Sequence, residues 1–130
     1  MSAARRIRGI IPILPTPFTD DGSIDEAGMR RVIGYAVPVV GTATSQSPQA
    51  AVELARAVER AGVDAVMVMP PYVVRDGVPG VTRLLAAMAS AVDLPLILQN
   101  APPPLGSYYG PDVIRKLMDD VPQVQYVKEE

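Results

Sequence analysis

Short runs of β-forming residues return along this chain at a near-constant interval: Ile10–Leu14, Val39–Thr42, Ala65–Met69, Leu96–Gln99 and Val124–Lys128. The interval is roughly 30 residues, the length of one strand plus one helix. The segments between them carry helical signals. Ser23-Ile24-Asp25-Glu26 reads as a capping box, with Met29, Val32, Ile33 and Ala36 as the apolar face behind it. Ser47 before Pro48 reads as an N-cap followed by proline in the first turn, and Gly62 closes that helix. Val81, Leu84, Leu85 and Met88 line a third helix. Pro111 opens a fourth, whose inward face is Val113, Ile114, Leu117 and Met118.

The β-forming runs are apolar throughout rather than alternating, Ala65-Val66-Met67-Val68-Met69 above all, which fits strands covered on both faces. Strands that alternate with helices predict a parallel α/β sheet with right-handed crossovers. The sheet could be open and doubly wound, or part of a (β/α)8 barrel. No Gly-rich dinucleotide loop or Walker-type loop follows any of the runs, which weakens nucleotide-binding forms of the open sheet. Prolines gather where strands give way to loops, at Pro15 and Pro17, Pro70 and Pro71, and Pro102 to Pro104. Loops at that end carry the active site in both architectures, although proline also simply terminates strands.

Composition removes several chemistries. The 130 residues include no Cys and no His, so disulfides, thiolate nucleophiles, imidazole bases and the commonest transition-metal ligands are excluded. Asp20-Asp21 and Asp119-Asp120 fall at an expected turn and an expected helix end, which argues against a hard-metal site. No cofactor is expected. A net charge of -2 gives no electrostatic footprint for nucleic acid, and Arg5, Arg6 and Arg8 read as a solvated terminus. No apolar stretch reaches the ~18 residues that span a bilayer. Met1 to Gly9 lacks a signal-peptide core, which leaves the cytoplasm as the default compartment.

Against this background Lys128 stands out. It is one of two lysines in the chain and lies on the apolar run Val124-Gln125-Tyr126-Val127, where nearly every other cation is arginine. A lysine can shed its proton and act as a nucleophile, which an arginine cannot. An amine at the carboxyl end of a parallel strand suits a Schiff-base enzyme.

Several segments together resemble those of one known enzyme family. Gly9-Ile10-Ile11-Pro12-Ile13-Leu14-Pro15-Thr16-Pro17-Phe18, then Asp21-Gly22-Ser23-Ile24-Asp25, is similar to its first strand and loop. Ala61-Gly62-Val63-Asp64-Ala65 leading to Pro70-Pro71-Tyr72 resembles a middle strand and its loop. Leu94-Pro95-Leu96-Ile97-Leu98-Gln99-Asn100-Ala101-Pro102, with Gly106 beyond, resembles the next strand, and Val127-Lys128-Glu129 the one bearing the Schiff-base lysine. Taken in order over nearly the whole chain, these segments resemble the dihydrodipicolinate synthase and N-acetylneuraminate lyase family. The resemblance implies a class I lyase or aldolase in which the neutral amine of Lys128 condenses with a pyruvate-type 2-oxo acid and forms an iminium that accepts electrons. Tyr72, Gln99 and Thr16 are the candidate substrate-binding residues.

The chain departs from the family pattern in several places. Gln99 stands where the synthases place a Tyr before the Asn, and an amide cannot relay a proton as a phenol does. Val73 replaces the second aromatic of Pro-Tyr-Tyr, and Pro104 occupies the usual Arg position. The family barrel has eight strands, whereas five runs are found here. Residues 1–130 therefore read as a single incomplete TIM-barrel domain, a partial (β/α)8 barrel of about five parallel strands and four intervening helices. One βα unit is missing near residues 37–38, and the closing strands are missing after residue 130. The alternative function is that of a non-catalytic shortened paralogue or fragment with a structural or oligomerising role. Unpaired strand edges favour a homo-oligomer.

Overall fold

The computed structural model describes residues 7–36, 38–73, 77–104 and 106–130. Arg5, Arg6 and the Val37 side of the expected internal junction lie outside the described residues. The chain forms two compact units, divided between Val39 and Val40.

In the first unit, residues 17–25 fold back on themselves. Phe18 and Ile24 form an antiparallel bridge, and the Thr19 N–H donates to the Ser23 carbonyl at 2.8 Å. The reversal requires Gly22, whose φ of 85° lies in the left-handed region. Asp21 accepts from the Thr19 hydroxyl and from the Ser23 N–H. Helix α1 (Glu26–Tyr35) starts immediately afterwards. Its cap is Asp25, which accepts from the Gly28 N–H at 2.8 Å, rather than Ser23 as the capping-box pattern suggested. Ser23 is already engaged in the turn, so the carboxylate two residues on takes the helix end.

The expected strand Ile10–Leu14 does not form. These residues run without regular pairing, and Ile10 and Ile13 are 82% and 87% exposed. A strand exists only through a partner's ladder, and the bridge in this unit falls later, at Phe18 and Ile24. Local β-propensity alone could not supply that partner.

The second unit is a four-stranded parallel sheet of β1 (Val40–Thr42), β2 (Ala65–Val68), β3 (Leu96–Asn100) and β4 (Val124–Glu129). Helices α2 (Pro48–Arg60), α3 (Gly77–Ala89) and α4 (Pro111–Asp120) make the crossovers. The strands lie in the order β1-β2-β3-β4, with no reversal. Right-handed crossovers between strands in sequence order put every helix on the same face. Val66 and Val68, Leu96 and Leu98, and Val124 accordingly share one core with Ala51 and Ala55 of α2, Leu84, Leu85 and Met88 of α3, and Leu117 of α4. Full burial of a side chain of that size stabilises by about 1.5–3 kcal/mol. A doubly wound sheet would instead carry helices on both faces around a switch point. The singly wound order matches an arc of a (β/α)8 barrel, which resolves the ambiguity left by periodicity. Among the described residues, no helix is long and apolar enough to cross a membrane.

Helix ends follow the expected chemistry. Ser47 caps α2 with Pro48 in its first turn, and Gly62, with φ of 86°, reverses the chain after it. Polar side chains then tie neighbouring units together at the amino ends of the strands. Glu59 accepts from the Asp93 N–H at 2.7 Å, and the Gln123 amide donates to the Val92 and Leu94 carbonyls at 2.6 and 2.8 Å. Helix α2 lies so close to β1 that a Cβ at Gly41 would stand 2.8 Å from the Val58 Cβ.

Gly41→Ala is expected to lower stability by about 1–3 kcal/mol through overpacking, read as a lower urea midpoint with an unchanged slope. Hydrogen bonds from Thr19 and Ser23 hold the Asp21 carboxyl below its ordinary value of 3.8. Its contribution to the turn is present above that value and is lost as pH falls through the lowered one. A side-chain NMR titration should therefore place the Asp21 midpoint below 3.8, and Thr19→Val should return it towards the ordinary value.

Candidate functional site

One irregularity in the ladder decides where Lys128 points. Leu96 pairs with Val124, but Ile97 pairs with Tyr126, so Gln125 is an extra residue in β4. In an unbroken strand Val124, Tyr126 and Lys128 would share a face. Val124 belongs to the helix-covered core, and continuous alternation would have driven Lys128 towards the helices. The extra residue inverts the alternation. Beyond it, Val127 and Glu129 turn to the α4 side, where they line a groove of about 460 Å³ with Tyr109, Ile114, Arg115 and Met118. Tyr126 and Lys128 turn to the opposite face, in register with Ile97 and Gln99.

Lys128 is therefore half-buried on the face of the sheet that the crossovers leave open, with its side chain 34% exposed. Its ammonium is ion-paired with the Glu130 carboxylate. The same carboxylate oxygen accepts from the Gln99 amide at 2.8 Å. The Glu130 backbone N–H donates to the Asn100 carbonyl at 3.1 Å, which continues the ladder and keeps Glu130 on the Lys128 side. Two residues singled out in the sequence, Gln99 and Lys128, are thus brought together as a cross-strand pair. Tyr72 is half-buried in the segment after β2. Thr16 is exposed in the first unit, before the Phe18–Ile24 bridge.

Sequence reasoning missed the residues that hold the loops at the carboxyl ends of the strands. Thr44 and Gln46, after β1, accept from the backbone N–H groups of Met69 and Val73 after β2, at 3.0 and 3.1 Å. Ser107, after β3, donates to the Pro71 carbonyl at 3.1 Å. Asn100 is fully buried. Its oxygen accepts from the Tyr109 N–H at 2.8 Å, and its NH2 group donates to the Tyr109 carbonyl and to Glu129. Both the oxygen and the NH2 group of that amide are engaged, so the β3–α4 loop is fastened at both backbone groups of Tyr109. Gly106 fits the same loop because a Cβ there would stand 2.7 Å from the Ala101 Cβ and 2.8 Å from the Met69 sulfur. A buried Asn at the end of an apolar run was a readable signal, since a polar group in that position must find partners. Glu130 was readable as well, because residues two apart on a strand share a face.

Among the described residues, no cluster of three or more acidic groups is disposed to hold a metal ion. The arrangement offers one amine, one carboxylate and one amide at the carboxyl end of adjacent parallel strands. That is the end of a (β/α)8 barrel at which chemistry is carried out.

Comparison with known proteins narrows this class. The Dihydrodipicolinate synthetase family profile matches residues 33–130. The chain belongs to that family. It is 28% identical over 147 residues to 4-hydroxy-tetrahydrodipicolinate synthase of Archaeoglobus fulgidus, covering 85% of this chain and 51% of the relative. It is 30% identical over 131 residues to the synthase of the same name from Thermomicrobium roseum, covering 95% of this chain and 42% of the relative. The solved 4-hydroxy-tetrahydrodipicolinate synthase of Methylacidiphilum fumariolicum superposes with a TM-score of 0.68 at 26% identity, over 76% of this chain and 33% of that one. The chain spans about half the length of the curated relatives it matches. The fold is a partial (β/α)8 barrel, with four parallel strands and four helices in the described residues.

Replacing Asn100 by Ala should leave the Tyr109 N–H and carbonyl without partners and cost about 2–3 kcal/mol, measured by urea denaturation. Asn100→Asp should lose at least as much at neutral pH, because a carboxylate cannot donate to Glu129 and repels it.

Proposed function

We propose that this chain carries the lysine of a Schiff-base lyase or aldolase that acts on a pyruvate-type 2-oxo acid, with Lys128 as the nucleophile. The observation that carries the reading is the register shift at Gln125, which turns Lys128 away from the helices to the open face beside Gln99. An amine packed under α4 could not meet a ketone. Family membership supports the same chemistry, because lyases of this family are what the chain resembles.

Lys128 would leave its ion pair with Glu130, attack the carbonyl carbon of the 2-oxo acid and lose water to give an iminium. The cationic nitrogen then accepts the electrons of the bond that breaks or forms at the neighbouring carbon. Gln99 and Tyr72 would contact the substrate. The reading of residues 1–130 as one barrel domain lacking a βα unit near residues 37–38 belongs to this proposal. The Archaeoglobus alignment supports it, since it runs over 147 residues while using 85% of a 130-residue chain and so crosses positions with no counterpart here. The protein is read as a cytoplasmic homo-oligomer that acts on a small molecule.

A second reading is that of a non-catalytic shortened paralogue or a fragment of such an enzyme, with a structural or oligomerising role. One experiment separates the two. Incubation with pyruvate and sodium borohydride should add the reduced pyruvyl group to Lys128, found by peptide mass spectrometry, and Lys128→Arg should abolish the adduct. A folded sample that gives no adduct with any 2-oxo acid supports the structural reading instead.

A further inference from the structure

We infer that Glu130 is the proton-transfer group for the Lys128 amine, filling the role left open by Gln99; this rests on the reading of Lys128 as the nucleophile. The geometry is a three-way junction. One carboxylate oxygen of Glu130 meets the Lys128 nitrogen and accepts from the Gln99 amide at 2.8 Å. A carboxylate in contact with the reacting nitrogen is placed to take and return its proton. The Gln99 amide can only orient that carboxylate, because an amide does not exchange protons in this range. Ala65, Met67, Ile97, Gln99 and Tyr126 are the other residues that β2, β3 and β4 present on this face beside Lys128. Glu129 points the opposite way and is bonded to Asn100. Glu130 therefore brings the carboxylate of this face among the described residues of these strands.

The proton inventory closes without a further reagent. The ammonium of Lys128 gives one proton to the Glu130 carboxylate, which leaves a neutral amine and a carboxylic acid. The nitrogen lone pair forms a bond to the carbonyl carbon, and the C=O π electrons move to oxygen. Transfer of a proton from that nitrogen to the oxygen yields the carbinolamine. Glu130 then protonates the hydroxyl as the C–O bond breaks. Water leaves, the nitrogen lone pair forms the iminium, and Glu130 is again a carboxylate.

The test measures the rate of pyruvate trapping by sodium cyanoborohydride against pH, in the full chain and in two variants. Glu130→Gln should slow trapping about a hundredfold near neutral pH. Glu130→Asp keeps a carboxylate and should recover much of the lost rate. Circular dichroism checks that each variant is folded. Trapping in Glu130→Gln at the rate and pH dependence of the unaltered chain overturns the role of Glu130 alone. No adduct in the unaltered, folded chain overturns the Lys128 reading and this one with it.

Discussion

A single extra residue in β4 decides which face of the sheet Lys128 takes. The ladder between β3 and β4 runs in register at Leu96 and Val124, slips at Gln125 and resumes at Ile97 and Tyr126. Strand alternation has a period of two, so one added residue exchanges the two faces for everything that follows. Val124 can then serve the core beneath the helices while Lys128, four residues later, lies on the other side. Without the slip, either Val124 would leave the core or the amine would be forced towards α4.

The open face exists because of handedness. Right-handed crossovers between strands laid down in sequence order send α2, α3 and α4 to one side. Their apolar stripes bury Val66, Val68, Leu96, Leu98 and Val124. The residues between these positions are left for other uses, and Gln99 and Lys128 are among them. Packing on one face thus determines which side chains become available on the other. Asn100 links the two. It faces the helix side, where its amide fastens Tyr109 and donates to Glu129, while its backbone carbonyl receives Glu130.

Much of this was legible in the sequence. The apolar runs of β2, β3 and β4 and the signals at Ser47, Pro48, Gly62 and Pro111 located strands and helices because each depends on local chemistry. Ile10–Leu14 misled because β-propensity describes a residue and pairing describes two segments. The choice between a doubly wound sheet and a barrel arc was invisible to periodicity, since strand order is a property of the whole sheet. Lys128 and Gln99 could be singled out by residue type and resemblance, but their pairing depends on the slip at Gln125, which no local pattern marks. Glu130 was passed over because a third acidic or basic residue at the end of a strand ordinarily reads as solvated.

The polar ties of the second unit have a common reach. Thr44 to Met69, Gln46 to Val73, Glu59 to Asp93, Ser107 to Pro71 and Gln123 to Val92 each join one strand–helix module to the next and go no further. A fold fastened in this way behaves like a row of links, in which stability is shared between adjacent members and is not vested in distant ones. Excision of a whole link would sever only the fastenings on its two flanks. Such an architecture can change its number of modules by deletion while each surviving junction keeps its own bonds.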